Sequence, residues 1–157
     1  MSLSIRSTAF AEGHAIPRRH TGDGEDLSPP LSWSTLPPGT TELALIVDDP
    51  DAPRDEPWVH WVLYKIPATD PGLTEGIPPV ARPGQPAGAV QGKNSWGSLG
   101  YRGPAPPKGH GVHHYHFKLY ALDRALDLPP GLEKHDLMNA MSGYLLGHVE
   151  LVGTYQR

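Results

Sequence analysis

The sequence predicts a mainly β chain, built of antiparallel strands with one late α-helix and long loops rich in proline and glycine. Three observations carry that reading. Residues His113 to Leu122 alternate without a break: His113, Tyr115, Phe117, Leu119 and Ala121 share one face, and His114, His116, Lys118, Tyr120 and Leu122 share the other. Glu42 to Asp48 is a short, nearly continuous apolar run closed by turn residues, the pattern of a buried strand. The chain holds 19 prolines and 18 glycines in 157 residues, a share that approaches low-complexity disorder, but four tryptophans and six tyrosines interleaved with β patterns point instead to ordered, rigid loops.

Length and composition bound the function. A chain of 157 residues reads as a single domain over its whole length, 1–157, large enough to bury about two-thirds of its unfolded surface. The formal net charge of −4 and the lack of a basic block argue against a nucleic-acid partner. Cysteine is absent, which excludes disulfides and thiol catalysis and fits a reducing compartment. The N-terminus, Met1 to Arg6, shows no basic region followed by an apolar one, and the longest apolar run is too short for a bilayer. The expectation is a soluble, cytoplasmic protein with no stable membrane insertion. No repeat, charged tail or linker divides it.

Leu3 to Thr8 is a candidate opening strand. Glu12 to Asp26 is polar and loop-like, ending in the acidic turn Gly22 to Asp26, which lacks the spacing of a calcium-binding EF-hand and suits a solvated turn or carboxylates capping nearby backbone. Leu27 to Trp33 begins with a Pro pair and reads as an edge segment turning into a strand. The apolar strand Glu42 to Asp48 ends abruptly at Asp49-Pro50-Asp51-Ala52-Pro53, where two prolines fix the backbone and two carboxylates stand at the strand mouth.

Trp58 to Ile66 is the next strand. Strict alternation puts His60, Val62, Tyr64 and Ile66 on one face and Val59, Trp61, Leu63 and Lys65 on the other. From Pro67 to Gly111 the chain reads mostly as loop. Gly92 to Ser95 lacks the spacing and context of a phosphate loop, while Trp96 and Tyr101 favour a loop packed on the sheet. After the strand at 113–122, Leu132 to Leu146 reads as the helix, with Leu137, Met138, Met141 and Leu145 as its apolar stripe and Gly147 as its stop. Val149 to Tyr155 is the closing strand.

Four of the nine histidines crowd between His110 and His116, behind a Pro- and Gly-rich entry from Gly103. Alternation divides them. His113 and Tyr115 point into one site, His114 and His116 away from it, and His110 stays at the rim, so a four-histidine metal site from this segment is geometrically poor.

Asp49 to Pro53, then Trp58-Val59-His60, then Gly103 to Pro107 leading to His113-His114-Tyr115, resembles the phosphatidylethanolamine-binding protein (PEBP) family. Gly22 to Trp33 and Leu145 to Tyr155 are similar to its bacterial and archaeal, Raf-kinase-inhibitor-like branch, and the likeness covers nearly the whole chain. The resemblance implies a β-sandwich of antiparallel sheets with a small anion pocket at one end. Carried over by motif, that pocket uses Asp49, Asp51, Pro53, Trp58, His60, Pro106, Pro107, His113 and Tyr115. It implies a homodimer and a regulatory or inhibitory role, and no cofactor. Bacterial relatives often carry cysteines where this chain has Gly22 and Ala105, and the chain lacks the extra terminal helix of the eukaryotic branch, so neither a thiol role nor kinase regulation is carried over.

Two imidazoles and a phenol offer hydrogen-bond donors suited to phosphate, a phosphoryl headgroup, sulfate or carboxylate, with His60 and His113 expected to bind as imidazolium. The nearby aspartates favour a monoanionic guest, and Lys108 is a further possible donor. Two other readings stay open: a hydrolase-type enzyme in which Asp49 or Asp51 orients His60 or His113 as acid or base, and a metal site from His60, His113 and an Asp.

Overall fold

The computed structural model describes residues 2–157; Met1, where the reading of the N-terminus starts, lies outside them. Eight strands and one helix follow in order: β1 (Ser4–Arg6), β2 (Leu31–Ser34), β3 (Glu42–Asp49), β4 (Trp58–Pro67), β5 (Gly72–Leu73), β6 (Val90–Gln91), β7 (His113–Leu122), α1 (Lys134–Met141) and β8 (Leu145–Tyr155). All strand pairings are antiparallel. The five-stranded sheet has the order β6-β4-β3-β7-β8, and the smaller sheet the order β1-β2-β5.

β3 is buried at all eight positions because both faces of the large sheet are covered. One face (Leu43, Leu45, Val47, Trp61, Leu63, Phe117, Leu119) packs against Ile5, Leu31 and Trp33 of the small sheet, forming the sandwich core. The opposite face (Ala44, Ile46, Val62, Tyr64, Tyr120, Leu122) packs against Leu137 and Met141 of α1. Such double coverage is what a near-continuous apolar strand requires. No helix of the described residues is long and apolar enough to cross a membrane.

Three local expectations are corrected. The helix covers Lys134–Met141 rather than Leu132 to Leu146. Gly143, at φ 91°, turns the chain four residues before the expected stop at Gly147. Leu145 and Leu146 consequently open β8 and are exposed, instead of completing the helical stripe. The stretch from Pro67 to Gly111 also contains two-residue strands, β5 and β6, too short to leave a periodic signature.

The third correction positions the site. β4 does not alternate strictly, because it carries two extra residues relative to β3. Pairing runs Leu43↔Ile66 then Leu45↔Leu63, and Val47↔Trp61 then Asp48↔Val59. The first bulge places Lys65 at φ 60° and moves Ile66 to the sandwich side with Leu63. The second makes His60 the extra residue. It leaves the face of Val62 and Tyr64, and its ring lies edge-on to Tyr115, with centroids 5.1 Å apart.

Candidate functional site

A cleft of about 210 Å³ opens at the end of the large sheet where β3 finishes and β4 and β7 begin, lined by Asp49, Pro53, Arg54, Trp58, His60, Trp96, Pro106, Pro107, His113 and Tyr115, with Ala52 and Ala105 completing it. Antiparallel pairing explains the convergence. β4 and β7 both run opposite to β3, so their first residues meet its last ones. Eight of the nine residues carried over by motif line this cleft. Asp51 does not. It is partly exposed on the turn, where its Oδ2 accepts from the His114 backbone N–H at 2.7 Å and pairs with His114 Nδ1 at 2.8 Å. Burial works to raise the Asp51 carboxyl, and the His114 hydrogen bonds outweigh it, so it sits below its ordinary range.

Asp49 is buried, and both of its oxygens are engaged. Oδ1 accepts from the Asp51 N–H at 2.8 Å, closing the turn, and Oδ2 faces His113 Nδ1 at 2.6 Å. The carboxylate thus orients the His113 ring. His113 Nε2 in turn lies 2.7 Å from His110 Nδ1, so both nitrogens of this buried ring already have partners. His110 is therefore more than a rim residue: it caps the outer nitrogen of His113.

His60 is 3% exposed, and its Nδ1 lies 2.6 Å from the Arg102 carbonyl oxygen. A carbonyl only accepts, so Nδ1 carries the hydrogen. Burial pushes the His60 imidazole below the ordinary histidine range; the Arg102 carbonyl and the Asp49 charge oppose this without overcoming it. Burial thus favours the neutral ring, with hydrogen on Nδ1 and a lone pair on Nε2, against the imidazolium expected from sequence. Tyr115, 1% exposed, has a hydroxyl held well above the ordinary phenol range by burial and then by the Asp49 charge, so it stays a donor. Among the described residues, neither His60 Nε2 nor the Tyr115 hydroxyl has a hydrogen-bond partner.

Trp58 and Trp96 form the wall, edge-on with centroids 5.4 Å apart, and Trp96 also lies 5.1 Å from the His60 ring. Guanidinium groups cover their outer sides, Arg54 at 5.0 Å from the Trp58 ring and Arg102 at 4.6 Å from Trp96. The sequence reading missed Arg54 and Trp96. Arg54 directly follows the Asp-Pro motif, and the sequence around Trp96 points only to packing on the sheet. Lys108, a suggested donor, is exposed and does not line the cleft. His114 and His116 point away as alternation required, His116 pairing with Glu150 at 3.1 Å.

The acidic turn anchors the opposite wall. Asp26 Oδ1 accepts from the Gly103 N–H at 2.7 Å, fixing the start of the Pro-rich loop, and Asp23 Oδ2 accepts from the Tyr155 hydroxyl at 2.7 Å. Among the described residues, no group of three or more His, Asp or Glu side chains is arranged to hold a metal ion. A larger cleft of about 580 Å³ lies beside the start of α1. Its buried polar side chain, Asn94, is fully engaged with Gly100, Trp96 and Ser98, so no unsatisfied buried group faces a guest there.

The phosphatidylethanolamine-binding protein family model matches residues 6–156. A UPF0098 protein from Methanothermobacter thermautotrophicus is 50% identical over 155 residues, covering 99% of each chain. The crystal structure of Escherichia coli YbcL, described as a new member of the mammalian PEBP family, superposes with a TM-score of 0.90 at 32% identity, covering 99% of this chain and 98% of that one. That of the Chlamydia trachomatis PEBP homologue CT736 gives 0.89 at 38% identity with the same coverage. With a match running through both sheets and every wall of the cleft, this chain belongs to the phosphatidylethanolamine-binding protein family.

Proposed function

We propose that the chain binds a small oxyanion, a phosphate or phosphoryl headgroup foremost, in the cleft between Asp49, His60 and Tyr115. One observation carries this reading. Two polar groups on almost fully buried residues, His60 Nε2 and the Tyr115 hydroxyl, lack protein partners and sit on rings 5.1 Å apart in the same cleft. Both residues open onto the cleft, and two convergent polar groups without protein partners in a small concave site are what a polar guest would engage. Arg54 supplies positive charge at the rim, and Asp49 is engaged with His113. A volume of about 210 Å³ suits a headgroup rather than an extended molecule.

Calorimetry with inorganic phosphate tests the reading. Tyr115→Phe removes one donor to a charged guest and is expected to weaken binding about 10-fold or more while leaving thermal stability nearly unchanged. Equal affinity in the wild type and this variant would count against it. The homodimer belongs to the same proposal by family likeness, and sedimentation at micromolar concentration decides it.

The hydrolase reading has less support. Asp49 and His113 form a well-placed acid–base pair, but His113 Nε2 meets His110 rather than a hydroxyl. Ser95 Oγ accepts from the Val59 N–H at 2.7 Å, and Ser98 Oγ donates to Asn94. Among the described residues no serine hydroxyl meets a histidine, so the arrangement lacks an activated nucleophile.

A further inference from the structure

We propose that the cleft selects its guest by the guest's own proton: it takes a singly protonated phosphoryl group, as in a phosphate monoester monoanion, in preference to oxyanions that carry no O–H. This rests on the oxyanion reading and deepens it. The Arg102 carbonyl, 2.6 Å from His60 Nδ1, fixes the hydrogen on that nitrogen and leaves Nε2 with a lone pair. The Tyr115 hydroxyl, its neighbour in the cleft, is a donor. The two unpartnered groups therefore ask different things of a guest. One needs a donor and the other an acceptor. A hydrogen phosphate group meets both at once: its P–O–H donates to His60 Nε2 and a second, anionic oxygen accepts from Tyr115. Sulfate and phosphodiesters present acceptors only. They leave His60 Nε2 facing an oxygen lone pair unless His60 itself takes up a proton.

The surroundings oppose that uptake. Asp49 and Asp48 on β3 and Asp26 on the acidic turn favour a charged ring electrostatically, but burial wins. On β7, His113 and Tyr115 face the same space, and His113 is already bonded to Asp49 and His110. Arg54 at the rim and Arg102 over Trp96 are cations and disfavour a further positive charge. The same logic separates two sources of the headgroup. A free phosphate monoester carries a titratable proton, lost near about pH 6, whereas the diester of an intact phospholipid has none.

Methyl phosphate and methyl sulfate make the test direct. At about pH 5 both are monoanions of nearly equal size, and only the phosphate carries an O–H. Calorimetric titration of the wild-type protein is expected to show methyl phosphate binding at least about 10-fold tighter than methyl sulfate, the cost of one mismatched hydrogen bond to a buried group. Dimethyl phosphate, the diester arm, is expected to bind as weakly as methyl sulfate. The affinity for methyl phosphate should fall about 10-fold per pH unit above the guest's own titration. Nitrogen-15 NMR of the histidine rings is expected to show His60 neutral with hydrogen on Nδ1 before and after methyl phosphate is added. Equal affinity for methyl phosphate and methyl sulfate, or a His60 imidazolium, overturns this inference and leaves oxyanion binding standing. Absence of binding by all three anions and by inorganic phosphate overturns the oxyanion reading and this inference with it.

Discussion

Asp49 shows how one residue serves both the fold and the site. Its two oxygens close the turn to Asp51 and hold His113, so it acts on a guest through the histidine it positions. Replacing it tests that division. Asp49→Ala leaves the buried His113 Nδ1 and the Asp51 N–H without their acceptor, and denaturant unfolding is expected to show a loss of about 3 kcal/mol. A change below about 0.5 kcal/mol would refute the positioning role. Asp51 looks equivalent in sequence but is partly exposed and tied to His114, outside the cleft. Two carboxylates in one motif were legible from sequence. Which one faces inward was not, because that depends on the path of the turn between two prolines.

Strands differ in how much of their geometry the sequence reveals. β7 was read residue by residue, since it is regular over all ten positions and its neighbours β3 and β8 leave no choice of face. β4 looked equally periodic, yet two bulges reset its faces, and one of them delivers His60 to the cleft. Bulges arise from the pairing with β3, so a pattern within β4 alone does not show them. Loop pairing has a similar signature at Gly22. A Cβ built there would lie 3.1 Å from the Ala105 Cβ, where the acidic turn meets the Pro-rich cleft wall. The double variant Gly22→Cys, Ala105→Cys is expected to form a disulfide after the walls part by a few tenths of an ångström, to about 3.5 Å between Cβ atoms. Mass spectrometry reads the bond, and unfolding under oxidising against reducing conditions should differ by about 2–4 kcal/mol. Free thiols after mild oxidation would show that the loops do not meet as described.

The whole molecule buries almost all of the His60 ring, and this affects stability as well as binding. Burial depresses the His60 imidazole in the folded state, so the unfolded chain binds the proton more tightly. The stabilising contribution is fully present above the ordinary histidine range, about pH 6.5, and is lost progressively as pH falls from there toward the depressed folded-state value. Urea midpoints measured between about pH 8 and about pH 5 are expected to fall with acidification, and His60→Phe should flatten that slope. An unchanged slope in the variant would assign the acid sensitivity elsewhere. The sequence by itself determined the strands that alternate, the turns that Pro and Gly enforce, and the set of residue types that gather at one sheet end, because each of these follows from local period and backbone restriction. Only the tertiary structure decided the protonation state of His60, the capping of His113 by His110, the exclusion of Asp51 and the inclusion of Arg54 and Trp96. Most of these depend on burial and on partners distant in sequence, as with the 42-residue separation of His60 and Arg102, while the His110–His113 contact, only three positions apart, depends on the path of the loop that enters β7.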